Sequence, residues 1–333
     1  MSSDHFRALI LHRDEHGKTR HTLQDLSRSD LPDGDVLIKI AYSSLNYKDG
    51  LAVTGAGPVV RHWPMVPGID MAGEVVESQN ETYRPGDRVV LTGWGLGELH
   101  WGGYSQYQRV RSDWLVPLPE GLSYRDAMGI GTAGFTAMLC VMALEDGGLT
   151  PAAQHPILVT GASGGVGSVA VALLAKLGFR VIAVTGSLSS HAYLRTLGAG
   201  DIVSREEMAR EPRPLEKQRW SGAIDAVGGT MLARVLAETD YGGTVAACGL
   251  AGDSSLPTSV MPFILRNIRL QGIDSVACPT PRRALAWQRL ATDLPREHLE
   301  SMIEVYPLDD VPRLSRAILR GEIRGRAVID VNG

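Results

Sequence analysis

Three cysteines in 333 residues, Cys140, Cys248 and Cys278, are too few and too scattered for a disulfide framework. No CxxC pair exists, so a cysteine zinc cluster is not expected either, and each thiol reads as a small core hydrophobe. An excess of positive charge is also missing. The 33 Lys and Arg against 37 Asp and Glu leave a net charge of -4, which argues against a nucleic-acid or membrane-surface binder. A local basic patch for an anionic substrate stays open. No apolar run approaches the length of a membrane span, so no membrane partner is expected. The first residues, Met1-Ser2-Ser3-Asp4-His5-Phe6-Arg7, lack a charged-then-apolar leader pattern, and a reducing, cytoplasmic location is the expectation. Internal repeats and low-complexity segments are absent.

What is present is apolar material and glycine. Hydrophobic residues make up 44% of the chain and charged ones 21%, enough for a full core. A length of 333 residues exceeds what one core usually supports, so two domains are expected. The 38 glycines point to many tight turns.

The first third reads as β-rich, with apolar runs at Val36–Ala41, Ala72–Glu77 and Arg88–Leu91. Pro32-Asp33-Gly34 and Arg84-Pro85-Gly86-Asp87 are turns, because proline presets φ and glycine accepts a positive one. A small, irregular β-barrel is expected there. Near residue 124 the pattern changes. Asp126–Ala143 has helical spacing, and short apolar strands then alternate with helices. The strands are expected at Pro156–Thr160, Arg180–Val184, Asp201–Val203, Ala223–Val227, Thr244–Ala247 and Leu270–Ser275. That alternation predicts an α/β, doubly wound parallel sheet. After residue 277 it stops, and the tail is expected to return to the first domain. The domains are therefore placed at 1–123 with 277–333, and at 124–276.

The strongest local signal is Ile157-Leu158-Val159-Thr160-Gly161-Ala162-Ser163-Gly164-Gly165-Val166-Gly167. A strand ends, the chain turns, and a helix begins whose N-terminal N–H groups suit a pyrophosphate. Against G-x-G-x-x-G the chain has Ala162, then Gly164 and Gly167, with Gly161 one position early as the substitute for the first glycine. At the end of the second strand, NAD-binding sequences usually place Asp or Glu for the ribose hydroxyls. Here Thr185-Gly186-Ser187 offers hydroxyls and no carboxylate, and Arg205 can supply a cation for a 2′-phosphate. The cofactor expected is NADPH.

Asn46-Tyr47-Lys48-Asp49, Pro67-Gly68-Ile69-Asp70-Met71-Ala72-Gly73-Glu74-Val75, Pro85-Gly86-Asp87-Arg88-Val89 and Gly131-Thr132-Ala133-Gly134-Phe135-Thr136-Ala137 resemble the medium-chain dehydrogenase/reductase superfamily over essentially the whole chain. The resemblance implies a GroES-like catalytic domain beside a Rossmann domain. Zinc alcohol dehydrogenases of that superfamily carry a cysteine near the first motif and Gly-His-Glu in the second. This chain has Ser43-Ser44-Leu45-Asn46 and Gly68-Ile69-Asp70, and lacks the cysteine-rich structural loop. No metal is expected.

A finer resemblance, to the NADPH-dependent acryloyl-CoA reductase group described as quinone oxidoreductase-like, is carried by longer strings. These are Leu91-Thr92-Gly93-Trp94-Gly95-Leu96-Gly97-Glu98, His100-Trp101-Gly102-Gly103, Ala246–Gly252, Met261–Asn267 and Gly272–Val276. Ser187 departs from it, standing where many members carry arginine. The resemblance implies hydride reduction of an activated C=C bond in a short enoyl-CoA, without zinc, by a homodimer joined near Leu270–Val276. A quinone or enone reductase on the same scaffold, or an inactive NADPH-binding regulator, are the rival readings.

The catalytic candidates are Tyr47, Asn46 and Asp70. Tyr47 would donate to the enolate oxygen or bond the cofactor, Asn46 would donate or fix a loop, and Asp70 would orient. Asp49 reads as a loop hydrogen-bonder and Lys48 as solvated. Cofactor contacts implied are Tyr47, Ser163, Gly164, Gly165, Val166, Thr185, Gly186, Ser187, Arg205, Leu250, Ile264, Ser275 and Arg326. Arg61, Arg266, Arg269, Arg282 and Arg283 are the cations available to CoA phosphates.

Overall fold

The computed structural model describes residues 4–333. Two units emerge. One runs to Thr132 and takes in Ser275–Ala291 and Leu299–Gly333; the other comprises Ala133–Asp274 with Thr292–His298. The change-over falls at Thr132 rather than 123 because Gly129 and Thr132 are tied to the first unit, through Arg326 and Asp70 respectively.

The first unit is built on a seven-stranded sheet. Its path runs Ile303–Pro307, Arg326–Asp330, Val36–Ser44, Asp70–Ser78, Arg88–Thr92, Val116–Pro117, with Tyr107–Val110 also on Val36–Ser44. The register of Val36–Ser44 on Asp70–Ser78 slips at Leu37/Ile38 and again at Ile40/Tyr42. Such bulges add local twist and bend the sheet, which matches the irregular barrel expected. Val36, Ile38 and Ile40 face a core with Met71, Leu91, Val110 and Ile329. The strand Arg326–Asp330 pairs Val328 with Ser44, so chain ends far apart in sequence meet at the motif region. A hairpin, His5–Arg13 on Thr19–Ser27, completes this unit's strands.

The second unit holds a six-stranded sheet, every pairing parallel. Its order is Asp201–Ser204, Val181–Thr185, Ile157–Val159, Trp220–Asp225, Thr239–Ala247, Arg269–Gly272. Counting strands along the chain this is 3-2-1-4-5-6, the doubly wound order of dinucleotide-binding sheets. The α/β expectation holds. Trp220–Asp225 is buried at all six positions, as a central strand covered on both faces must be.

The helix Tyr124–Asp146 departs from its expectation twice. It is broken at Gly131, where φ is 49° and ψ is -162°, a conformation open essentially to glycine alone. It is also long and apolar enough to cross a membrane by length and composition, which contradicts the reading of short apolar runs. Yet 89% of its most apolar window is buried inside the protein, so it is a core helix.

Candidate active site

The glycine-rich turn links the strand Ile157–Val159 to the helix Gly165–Lys176. Gly161 takes a φ of +59°. Ala162 does not, and its methyl is fully buried, so the alanine at the first fingerprint position is tolerated because the turn's freedom sits one residue earlier. A Cβ on Gly167 would lie 2.3 Å from the Gly161 carbonyl oxygen, so only glycine lets the helix approach the turn this closely. Ser163, Gly164, Gly165 and Val166 remain partly accessible at the helix N-terminus. The aligned peptide dipoles there favour an anion.

Thr185 ends the second strand, and its Oγ1 lies 3.2 Å from Ser163 Oγ and accepts from the Ser187 backbone N–H at 3.1 Å. Arg205 opens a short helix after the third strand, Asp201–Ser204. Its guanidinium lies against Gly186 so closely that a Cβ there would meet Nε at 2.9 Å and Cζ at 3.0 Å. The structure thus brings Ser163, Thr185, Gly186, Ser187 and Arg205 together. Hydroxyls, a helix N-terminus and an exposed guanidinium form a cradle that fits a phosphorylated dinucleotide. Leu250 follows the strand Thr239–Ala247 and Ile264 lies on the helix Met261–Arg266; they are 66% and 72% exposed.

In the first unit the motif residues converge on a buried carboxylate. Asp70 is fully buried. Its Oδ2 accepts from Ser44 Oγ at 2.6 Å, from Asn46 Nδ2 at 2.8 Å and from the Thr132 backbone N–H at 2.8 Å. Its Oδ1 accepts from Thr132 Oγ1. Arg326 closes the cluster, donating to Ser44 Oγ at 3.1 Å, Asn46 Oδ1 at 3.3 Å and the Gly129 carbonyl at 3.0 Å. It is 3% exposed, so the structure places it among these buried groups and not on an accessible cofactor surface.

Asp49 is the second buried carboxylate. Its two oxygens accept from the backbone N–H groups of Asn46 at 2.9 Å and Ile69 at 3.0 Å. Burial, and then the nearby charge of Asp70, push its pKa up to about 7. Burial and the same two carboxylates also raise the Tyr104 phenol, which donates to the Ser44 carbonyl at 3.2 Å. Sequence reasoning missed Ser44, Thr132 and Tyr104. Ser44 and Thr132 lie inside quoted motifs, but only folding shows which hydroxyl meets Asp70.

Asn46 caps the helix Tyr47–Thr54, and Tyr47 stands at its first position, 46% exposed, beside this network. Lys48 is not simply solvated: it pairs with Glu98 at 3.0 Å. Among the cations offered for CoA, two are corrected. Arg283 is 1% exposed and bonds to backbone carbonyls; Arg266 donates to the carbonyls of Glu216, Ala237 and Thr239. Arg61 and Arg269 are exposed, and Arg282 is half-buried.

Ile69 presents an apolar side chain next to Asp70, and no three His, Cys, Asp or Glu side chains converge to hold a metal among the described residues. Zinc needs three or four such donors, so the residues here do not fit one.

The sequence matches two families: the alcohol dehydrogenase GroES-like domain over residues 32–120 and the zinc-binding dehydrogenase family over residues 165–291. It is 57% identical to the acrylyl-CoA reductase AcuI of Ruegeria pomeroyi across 98% of this chain and 99% of that protein. The crystal structure of Escherichia coli YhdH with bound NADPH is 56% identical and superposes with a TM-score of 0.95, covering 98% of this chain and all of that one. The Bacillus subtilis protein YhfP with NAD bound is 44% identical, also at a TM-score of 0.95, over 98% of this chain and all of its own. The chain belongs to the medium-chain dehydrogenase/reductase superfamily and, within it, to the acrylyl-CoA reductase group.

Proposed function

We propose that this chain reduces the activated C=C bond of acryloyl-CoA, or another short enoyl-CoA, to the saturated thioester with NADPH. The observation that carries this reading is 57% identity to an acrylyl-CoA reductase over nearly the full length of both chains, joined to a phosphate cradle at Thr185–Ser187 and Arg205. NADPH would supply a hydride for the β-carbon, leaving negative charge to develop on the thioester oxygen, and the resulting enolate would take a proton from solvent at the α-carbon to give the saturated thioester.

The helix N-terminus at Gly164, Gly165 and Val166 holds the pyrophosphate with N–H groups, and Ser163 adds its hydroxyl. Arg205 and the hydroxyls of Thr185 and Ser187 bind the 2′-phosphate. Leu250, Ile264 and Ser275 contact the nicotinamide half. Tyr47 is the accessible donor for the developing oxyanion, and its phenol replaces the Lewis acid of the zinc enzymes. Asp70, Asn46, Asp49 and Arg326 act behind it, fixing the start of the helix that carries Tyr47. A charged network that satisfies its own donors and acceptors holds that backbone in one geometry.

Two further parts of the reading concern the whole protein. It works in the cytoplasm. It is a homodimer joined through the second unit, where Arg269–Gly272 is an open sheet edge and Val260 and Leu265 are exposed nearby in sequence. Such an edge with apolar neighbours favours a second copy.

The test is NADPH and NADH oxidation by the purified protein with acryloyl-CoA, crotonyl-CoA and a benzoquinone side by side. The expected ranking is acryloyl-CoA first, with NADPH preferred. A quinone turned over faster than either thioester overturns the substrate assignment, and equal use of NADH overturns the cofactor assignment. Arg205→Ala should raise KM for NADPH and leave KM for NADH unchanged.

A further inference from the structure

Arg283 lies in the helix Thr280–Asp293 and is 1% exposed. A buried guanidinium demands acceptors, and here they come from two separate segments. Nη1 donates to the Thr92 carbonyl at 2.7 Å and to Thr92 Oγ1 at 3.0 Å. Nη2 donates to the carbonyls of Ser275 and Val276, each at 3.0 Å. Its Cζ lies 5.0 Å from the Trp94 ring centre, a stacking distance.

The two segments also touch directly. The Trp94 backbone N–H donates to the Val276 carbonyl at 3.1 Å. A Cβ on Gly93 would be 2.9 Å from that same oxygen. Trp94 itself holds a φ of 53°, a left-handed conformation that a bulky residue keeps only when its surroundings impose it. The turn leans in its other direction on the motif region: the Gly93 N–H donates to the Ile69 carbonyl at 3.2 Å, one residue before Asp70. Ser275 is where the chain re-enters the first unit.

We propose that Arg283 is a positioning residue for hydride transfer. It clamps Ser275 and Val276 to the turn Thr92–Trp94, and so fixes the Ser275 backbone relative to Ile69 and Asp70. This rests on the function proposed above, in which Ser275 serves the nicotinamide half. The planar fork is what the site needs, because a lysine ammonium cannot reach acceptors on both segments with parallel donors. Without it, several desolvated carbonyl oxygens would face one another and the segments would part.

The experiment uses the full-length enzyme and Arg283→Lys, Arg283→Met and the milder Thr92→Val. Three quantities are read: amide hydrogen exchange at 275–277 and 93–95, kcat and KM with NADPH and acryloyl-CoA, and the affinity for 2′,5′-ADP, which probes only the Thr185–Arg205 end. The expected result for the Arg283 variants is faster exchange at both segments and a kcat lower by roughly 10²-fold. The 2′,5′-ADP affinity stays within about two-fold, a change below 1 kcal/mol. Thr92→Val should show the same pattern weakly, and it decides the matter if the Arg283 variants do not fold. Unchanged exchange and kcat overturn the proposal. Equal losses of kcat and of 2′,5′-ADP affinity also overturn it, since they mark general structural damage. A wild-type enzyme that reduces no enoyl thioester overturns the functional reading instead, while the exchange data still decide whether the clamp exists.

Discussion

Tyr47 and Asp49 are two residues apart on one helix and do opposite things. Tyr47 is 46% exposed and keeps its phenol available; Asp49 is 1% exposed with both oxygens accepting from backbone N–H groups. Tyr47→Phe removes the oxyanion donor while keeping the ring. Steady-state kinetics should show kcat reduced by about 10²–10³-fold, the loss typical of one such donor. Wild-type kcat in this variant would take the hydroxyl out of the mechanism. Asp49 gives a pH signature. Its pKa rises from the usual 3.8 to about 7, so the folded state keeps a proton that the unfolded chain has already released. Stability from this group is therefore full at acid pH, declines as pH rises from about 4 to 7, and is level above that. This is the reverse of a salt-bridged aspartate. Denaturant melts at pH 5, 6, 7 and 8 should show wild type losing stability relative to Asp49→Asn, which cannot titrate. Parallel pH profiles for the two would contradict the assignment.

The helix Tyr124–Asp146 shows what an element's sequence does and does not disclose. Its composition announces a helix, and nothing in its apolar spacing announces a break. The break at Gly131 follows from what lies opposite. A Cβ there would come within 2.6 Å of Asp70 Oδ2 and 2.8 Å of both Arg326 Nη2 and Ser44 Oγ. The missing side chain makes room for the buried cluster, and the backbone turns to let Thr132 donate to Asp70. Gly131→Ala should combine a disallowed φ with a clash, costing about 2–4 kcal/mol. Thermal unfolding and kcat should both fall; a variant as stable as wild type would show that the break carries no constraint. By contrast, the turn at Gly161–Gly167 was legible in advance, because a dinucleotide turn depends on local spacing alone.

At the scale of the molecule, each unit's architecture follows from periodicity. Short apolar strands alternating with helices can only form a covered parallel sheet, and the six-stranded order confirms it. The open edge at Arg269–Gly272 belongs to this scale too. Sedimentation at micromolar concentration should return twice the chain mass, and a single-chain mass would remove the dimer from the proposal. NADPH at 100 times its Kd should stabilise the protein by about 2.7 kcal/mol, visible as a rise in Tm. No thermal shift would argue against the cradle at Thr185, Gly186 and Arg205.

The sequence by itself determined the doubly wound sheet, the phosphate-binding turn with its displaced glycine, the hydroxyl-rich end of the second strand, and membership of the reductase group. All of these depend on neighbours within a few residues or on motifs strung in order. Only the tertiary structure decided which charges are accessible. Arg326 and Arg283 look like ligand-binding cations in the sequence, and folding buries both, one on the Asp70 cluster and one on backbone carbonyls. Arg205 looks no different from them, and folding leaves it exposed beside Gly186. The difference is made by partners up to 282 positions away, as Arg326 and Ser44 are. Desolvation of a charge is a property of everything packed around it, and no local pattern encodes it.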